Sequence, residues 1–417
     1  MSDTAYFDSH ETREPEVRES DLFAALRGQI AHAKASTSYF GDTLADVDPA
    51  AVIDRAVLAQ LPVLRKSALI ELQRQAPPFG GMVSPPISEL SRLFISPGPI
   101  YEPEGRRADY WRLARALFAA GIRKGDLVHN CFAYHLTPAG AMLESAAHAL
   151  GCPVIPAGPG NTEQQVAVIE DLKPSAYIGV PDFLKILLDK AKELDRDASS
   201  IGKALVSGAA LPPSLRDELQ ARGVGVLQCY ATADLGLIGY ETQSDGAPCE
   251  GMMIDEDIIV EIVRPGTGDP VTDGEVGEVV VTTLNPDHPL IRFATGDLSA
   301  VLPGASPCGR TNMRIKGWMG RADQTTKVKG MFVRPEQVDA VVKRHPEIVR
   351  ARLVVSRDGQ QDAMTLSCEA DRPGAEIADA VAATVTDVTK LKATIEMVAP
   401  GTLANDGKVI EDTRPID

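Results

Sequence analysis

The 417-residue chain is short of several things, and each shortage narrows what it can be. It has six cysteines (Cys131, Cys152, Cys229, Cys249, Cys308 and Cys368), widely spaced and with no C-x-x-C pair. That is not a disulfide framework. Positive charge is in deficit: 42 Lys and Arg against 58 Asp and Glu leave a net charge of −16. The basic face that nucleic acid or an anionic membrane requires is therefore not expected. No apolar run approaches the roughly 20 residues that span a bilayer. The polar, acidic stretch 1–19 does not read as a secretory signal. These absences predict a reduced, cytoplasmic protein with neither nucleic acid nor a membrane as partner.

What is present is an ordinary globular composition, 44% hydrophobic and 24% charged, which supports a large core. At roughly 150 residues per domain, the length predicts two or three domains. The first ~90 residues read as mostly helical, with Leu22, Leu26, Ile30 and Ala33 at near-helical spacing. From Gly125 onward, apolar runs near 127–132, 153–157, 176–180, 204–207 and 224–229 alternate with helical patterns near 138–150, 162–172, 182–195 and 213–222. Such alternation predicts an α/β fold, a parallel sheet covered by helices. Beyond residue 255, β-branched runs at 258–263 and 278–283 predict a β-rich subdomain. After Gly320-Arg321-Ala322-Asp323 a compact α+β unit of about 95 residues follows.

Ligands of parallel sheets bind at the carboxyl ends of the strands, so four segments draw attention. Val206-Ser207-Gly208-Ala209-Ala210-Leu211-Pro212 ends a strand in small residues, which either admit a flat ring to the backbone or make a plain turn. In Cys229-Tyr230-Ala231-Thr232-Ala233-Asp234, the aromatic either stacks on a base or belongs to the core, and the acid either holds Mg²⁺ or caps a helix. Asp297, after Thr295-Gly296, either accepts from ribose hydroxyls or closes an Asx turn. Lys408, beside Gly407, either swings onto phosphate or is a solvated lysine.

In order and spacing these segments resemble the phenylacetate–CoA ligase family of the adenylate-forming enzymes. The resemblance runs through Leu61-Pro-Val-Leu-Arg-Lys66, Phe132-Ala-Tyr-His-Leu-Thr-Pro138, Val154-Ile-Pro-Ala-Gly158, Ile291-Arg-Phe-Ala-Thr-Gly-Asp297 and Gly320-Arg-Ala-Asp-Gln-Thr-Thr-Lys-Val-Lys-Gly330. It implies a large N-terminal domain, 1–321, and a small swinging C-terminal domain, 322–417. It also implies a two-step reaction: an aryl or other apolar carboxylic acid and ATP give an acyl-adenylate, and CoA then takes the acyl group and releases AMP. Lys408 would be catalytic and Asp323 the pivot. Asp297 and Arg321 would hold the ribose. Ser207, Gly208, Ala209, Tyr230 and Ala231 would line the adenine slot, with Thr232 on phosphate and Asp234 on Mg²⁺. Phe132, Tyr134 and His135 would form the acyl pocket. Ser96 and Gly98 are what remains of the phosphate loop. A homodimer is the family's usual assembly.

The sequence departs from the family at Ile95-Ser-Pro-Gly-Pro-Ile-Tyr-Glu-Pro-Glu-Gly105, where relatives carry a Ser/Thr/Gly-rich loop ending in Gly-Lys-Pro. Three prolines remove N–H donors, and Glu102 and Glu104 stand where phosphate needs cations. The favourable charge would have to come from Arg292, Arg321, Lys327, Lys329 and Lys408. Zinc is not expected: of the ligand positions in 249–308, Cys249 and Cys308 remain, but Met253 and Ser306 occupy others. Because of the altered loop, two alternatives to the ligase stand: an ATP-independent acyl-CoA transferase or thioesterase, and a non-enzymatic binding protein on the same scaffold.

Overall fold

The computed structural model describes residues 5–322, 324, 326–328, 331–358, 361–371 and 374–414. They form two compact units. The first takes the chain up to Val260 with Val281–Phe293 and Leu302–Gly317; the second takes Glu261–Val280, Ala294–Val301 and the chain from Trp318 onward.

The first unit is built on a parallel sheet whose strands lie in the order Val154–Pro156, Val128–Asn130, Ala176–Gly179, Lys203–Val206, Gly225–Thr232. The helices Ala139–Leu150, Thr162–Leu172, Pro181–Glu193 and Pro213–Ala221 separate them in sequence. Each stops or starts where local chemistry demands. The first ends on Gly151 in the left-handed region, φ 80°. The third and fourth begin with proline, whose fixed φ suits a first turn. Alternation along the strands splits the apolar side chains between two cores. Ala176, Ile178, Leu205, Leu227 and Cys229 join Leu117, Leu143 and Ala146 in one. Tyr177, Ala204, Val206 and Val226 join Ile169, Leu184, Leu187 and Leu219 in the other. This is why the strands read as continuous apolar runs: both faces are buried.

Two details of this sheet place the site. Lys203–Val206 pairs with residues 225–228 only, so Gly225–Thr232 outruns its neighbour by Cys229, Tyr230, Ala231 and Thr232. Those residues pair antiparallel with Gly236–Tyr240, with a bulge between Tyr230 and Ala231. The second detail corrects the sequence reading, because segment 95–105 is not a loop. Arg92–Ser96 and Ile100–Glu104 form an antiparallel hairpin, with Phe94 opposite Glu102 and Ser96 opposite Ile100. Phe94, Ser96, Ile100, Glu102 and Glu104 turn inward, while Leu93 and Tyr101 stay exposed. Its prolines sit in the turn, Pro97 and Pro99, or on an edge strand, Pro103, where a missing N–H costs little. Buried Gln73 holds the hairpin through both backbone groups of Tyr101, at 2.8 Å each.

In the second unit a four-stranded sheet has the order Thr394–Val398, Gln361–Ala370, Ile348–Asp358, Ile410–Asp412. Its middle pair is antiparallel and its outer pairs are parallel. The helices Pro335–Arg344 and Ala375–Thr389 contribute Val338, Val341, Val381 and Val385 to a core with Leu353, Val355, Leu366 and Cys368. The strands Ile258–Val263, Gly277–Thr283 and Phe293–Ser299 supply this unit with their 261–263, 277–280 and 294–299 parts.

Candidate active site

In the first unit, Ser207, Gly208 and Ala209 follow directly on strand Lys203–Val206 at the carboxyl edge of the sheet. Gly208 has φ 75°, a conformation that glycine adopts without strain. A Cβ placed there would find nothing nearer than Phe132 Cε1 and Val180 Cγ1, both at 3.8 Å. A methyl there would sit in ordinary van der Waals contact with both, so Gly208 and Phe132 are close neighbours at this edge. Ser207 Oγ is spent on Cys229 O, 2.8 Å away, which ties the slot to the protruding strand. Tyr230 is buried, and Ala231 and Thr232 are half-buried.

Tyr134 donates to Glu144 at 2.8 Å and accepts from Asn130 Nδ2 at 2.7 Å, and its ring lies against Gly140, where a Cβ would come within 2.9 Å. Burial first, then Glu144, raises its phenol pKa. His135 is exposed. Ile95 N donates to Leu136 O at 2.9 Å, so the hairpin and the segment 132–137 are neighbours.

The hairpin carries the main surprise of the site. Ser96 Oγ donates to Glu102 Oε1 within the hairpin. Glu102 is only 1% exposed and Asp234 5%. Burial, and then repulsion from Asp234, push the Glu102 carboxyl well above the usual carboxylate range. The cation beside Asp234 is Lys66, whose Nζ lies 2.5 Å from Asp234 Oδ2 and whose charge also pulls the Glu102 carboxyl down. Glu102 Oε2 and Asp234 Oδ1 are buried without a hydrogen-bond partner. Lys66 closed the motif at 61–66, yet nothing in the sequence marked it as a site residue. Its partner is 168 positions away. Glu104, two residues on, is instead paired with Arg92 at 3.0 Å.

The oxygen donors of two buried acids fit Mg²⁺, the ion that the resemblance implies at Asp234. Among the described residues no group of three or more His, Cys, Asp or Glu is arranged to hold a metal.

In the second unit, Asp297 lies within strand Phe293–Ser299, one residue after Gly296 at φ 75°. Its Oδ1 accepts from Arg321 Nη1 at 2.8 Å and from Trp318 Nε1 at 3.2 Å. A Cβ on Gly296 would meet Arg321 Nη2 at 2.9 Å, so glycine lets the guanidinium approach. Lys408 sits apart from this pair. Its Nζ is 2.8 Å from Glu411, its side chain is half exposed, and its loop is pinned by Gln324, which receives Val409 N and Ile410 N. Asp323 and Lys329 lie outside the described residues, as does the side chain of Lys327. Arg292 is also corrected. It is 1% exposed and donates to Ala59 O and Leu61 O, so its charge ties down the N-terminal chain and does not face a ligand.

The protein class follows from comparison as well as from geometry. The family profile described as AMP-binding enzyme matches residues 133–285, the stretch that holds four of the five parallel strands. The phenylacetate-coenzyme A ligase of Thermus thermophilus is 32% identical over 342 residues, 79% of this chain and 76% of that protein. The enzyme of the same name from Aromatoleum evansii is 28% identical over 358 residues, 82% of this chain and 80% of its own. A crystal structure of 2-hydroxyisobutyryl-CoA ligase with 2-HIB-AMP and CoA, in the thioesterification state, superposes with a TM-score of 0.71 at 25% identity, covering 99% of this chain and 94% of that one. The chain belongs to the phenylacetate–CoA ligase family of adenylate-forming enzymes.

Proposed function

We propose that this protein is an ATP-dependent acid–CoA ligase, acting on an aryl or other apolar carboxylic acid. The observation that carries the reading is the edge of the parallel sheet. Strand Gly225–Thr232 outruns its neighbour there, beside Gly208 and its neighbour Phe132. In this reading the adenine lies between Ser207-Gly208-Ala209 and Tyr230-Ala231, and Thr232 donates to phosphate. Asp297 and Arg321 accept and orient the ribose; their 2.8 Å pair presets both side chains. Ser96 and Gly98 border the phosphates. Phe132, Tyr134 and His135 line the acyl side.

The acid's oxygen attacks the α-phosphorus, the bond to the bridging oxygen breaks and pyrophosphate leaves. Lys408 neutralises charge on the attacking and α-phosphate oxygens, interactions strongest in the transition state. Asp234 would hold Mg²⁺, which would supply charge neutralisation at the phosphates. The CoA thiolate then attacks the acyl carbon and AMP leaves. The swing of 322–417 against 1–321 about Asp323 exchanges the two halves of the cycle. A homodimer in the cytoplasm completes the proposal; six free cysteines support a reducing compartment. No helix among the described residues is long and apolar enough to cross a membrane.

The hairpin favours a second reading, thioester chemistry without ATP, because Ser96 already spends its hydroxyl on Glu102. One assay separates the two: ATP, Mg²⁺, CoA and a panel of aryl and alkyl acids, following AMP and pyrophosphate. Acid-dependent AMP release, falling about 100-fold or more in Lys408→Ala, is expected. Turnover of a thioester with no nucleotide present would replace the ligase by the second reading.

A further inference from the structure

We propose that Glu102 and Asp234 together hold a divalent cation, and that this ion supplies the positive charge which the family's phosphate loop carries on a lysine. The proposal rests on the ATP-dependent reading above and goes beyond it in assigning Glu102. Relatives place a lysine before the proline that ends the loop; here Glu102 stands before Pro103. A carboxylate in that position cannot grip phosphate directly.

The surroundings of Glu102 are built for something other than solvent. Both acids are more than nine-tenths buried, and each keeps one oxygen satisfied: Glu102 Oε1 by Ser96 and Asp234 Oδ2 by Lys66. The remaining oxygens, Glu102 Oε2 and Asp234 Oδ1, have no partner. Buried acceptors left unmade are uncommon in native proteins and call for an explanation such as an ion. Two hard oxygen donors suit Mg²⁺ or Mn²⁺. Such ions commonly take one or two carboxylates and complete their shell with water and substrate phosphate. The charge balance agrees. One lysine against two acids leaves no net positive charge where phosphate must come. A divalent ion converts that to net positive, the same result a lysine at position 102 would give with no ion. The family's charge is thus kept, but carried by a metal.

The test uses Mn²⁺ as the probe, titrated into the full chain and followed by electron paramagnetic resonance of the free ion, with and without a non-hydrolysable ATP analogue. The wild type is expected to bind Mn²⁺, at least tenfold more tightly with the analogue. Glu102→Gln, which copies the shape of the neutral acid, should weaken Mn²⁺ binding tenfold or more in both conditions. Glu102→Lys should bind the analogue in EDTA, where the wild type does not. Mn²⁺ binding by Glu102→Gln equal to the wild type would overturn the proposal, as would no Mn²⁺ binding by the wild type in either condition. If Mn²⁺ binds and Glu102→Gln weakens it, yet the analogue never binds, the cation site stands and the ATP reading falls.

Discussion

Two buried carboxylates, Asp297 and Glu102, have met opposite fates. Asp297 accepts from a guanidinium and an indole, and the arginine that serves it has a side chain 54% exposed. Glu102 faces a second carboxylate, with one lysine beside Asp234 and two oxygens unpartnered. The first arrangement is a preset pair whose cation also reaches water. The second is unfinished by its own residues. An acid held by arginine can orient a neutral ligand group such as a hydroxyl. An acid held against another acid asks for a cation. The contrast suggests that, in this chain, the ribose end of the proposed nucleotide site is built into the protein while the phosphate end arrives with an ion.

The largest effect that would test this contrast is on stability. Lys66→Met leaves Asp234 and Glu102 with no cation at all. Losing one partner of a buried pair costs about 3–5 kcal/mol. Lys66 is a quarter exposed, so a loss near 3 kcal/mol is expected, read by urea unfolding in EDTA at pH 7.5. A loss below about 1 kcal/mol would mean the two acids do not depend on this lysine, and the contrast would fail.

A third acid, the half-buried Asp109, gives an intermediate case. Burial, and then Asp255, lift Asp109 to about 7, while hydrogen bonding to Ala114 N and the charge of Arg112 pull it back. Its unfolded value is lower, so its contribution to stability is complete below pH 3.8 and is lost as pH rises through about 7. Each pH unit in that window costs about 1.4 kcal/mol. Asp109→Asn copies the neutral acid, and asparagine tolerates the residue's φ of 48°. The variant should therefore gain about 2 kcal/mol on the wild type between pH 5 and pH 7, in parallel denaturation curves. Identical slopes for both proteins would remove Asp109 from the comparison.

The elements of the fold were legible because burial writes itself into a strand buried on both faces. Ala176–Gly179 and Lys203–Val206 read as apolar runs bounded by turn residues, and their helices begin at Pro181 and Pro213. The hairpin was hidden by the loop that the resemblance implied there, although the period-two set Phe94, Ser96 and Ile100, Glu102, Glu104 was there to be seen. Asp234 and Glu102 were each marked in the sequence, but their meeting with Lys66 left no local signal. The three come from distant segments, and only packing brings them together. Arg292 misled for the reverse reason: an arginine inside a ligand-binding motif looks like a ligand contact until its carbonyl partners are known.

The smallest stability effect is expected at the other carboxylate, and it completes the comparison. Arg321→Met removes a half-exposed cation from Asp297, and pairs of that kind contribute under about 1 kcal/mol. Unfolding free energy should hardly move. Binding of the ATP analogue, measured by calorimetry, should weaken about tenfold, because the lost guanidinium is proposed to hold the ribose. Arg321→Lys keeps the charge without the planar fork and should fall between the two. If Arg321→Met instead costs as much stability as Lys66→Met, then Asp297 depends on its cation as heavily as the buried acid pair does. The distinction between a preset site and an unfinished one would then have to be drawn from the unpartnered oxygens alone.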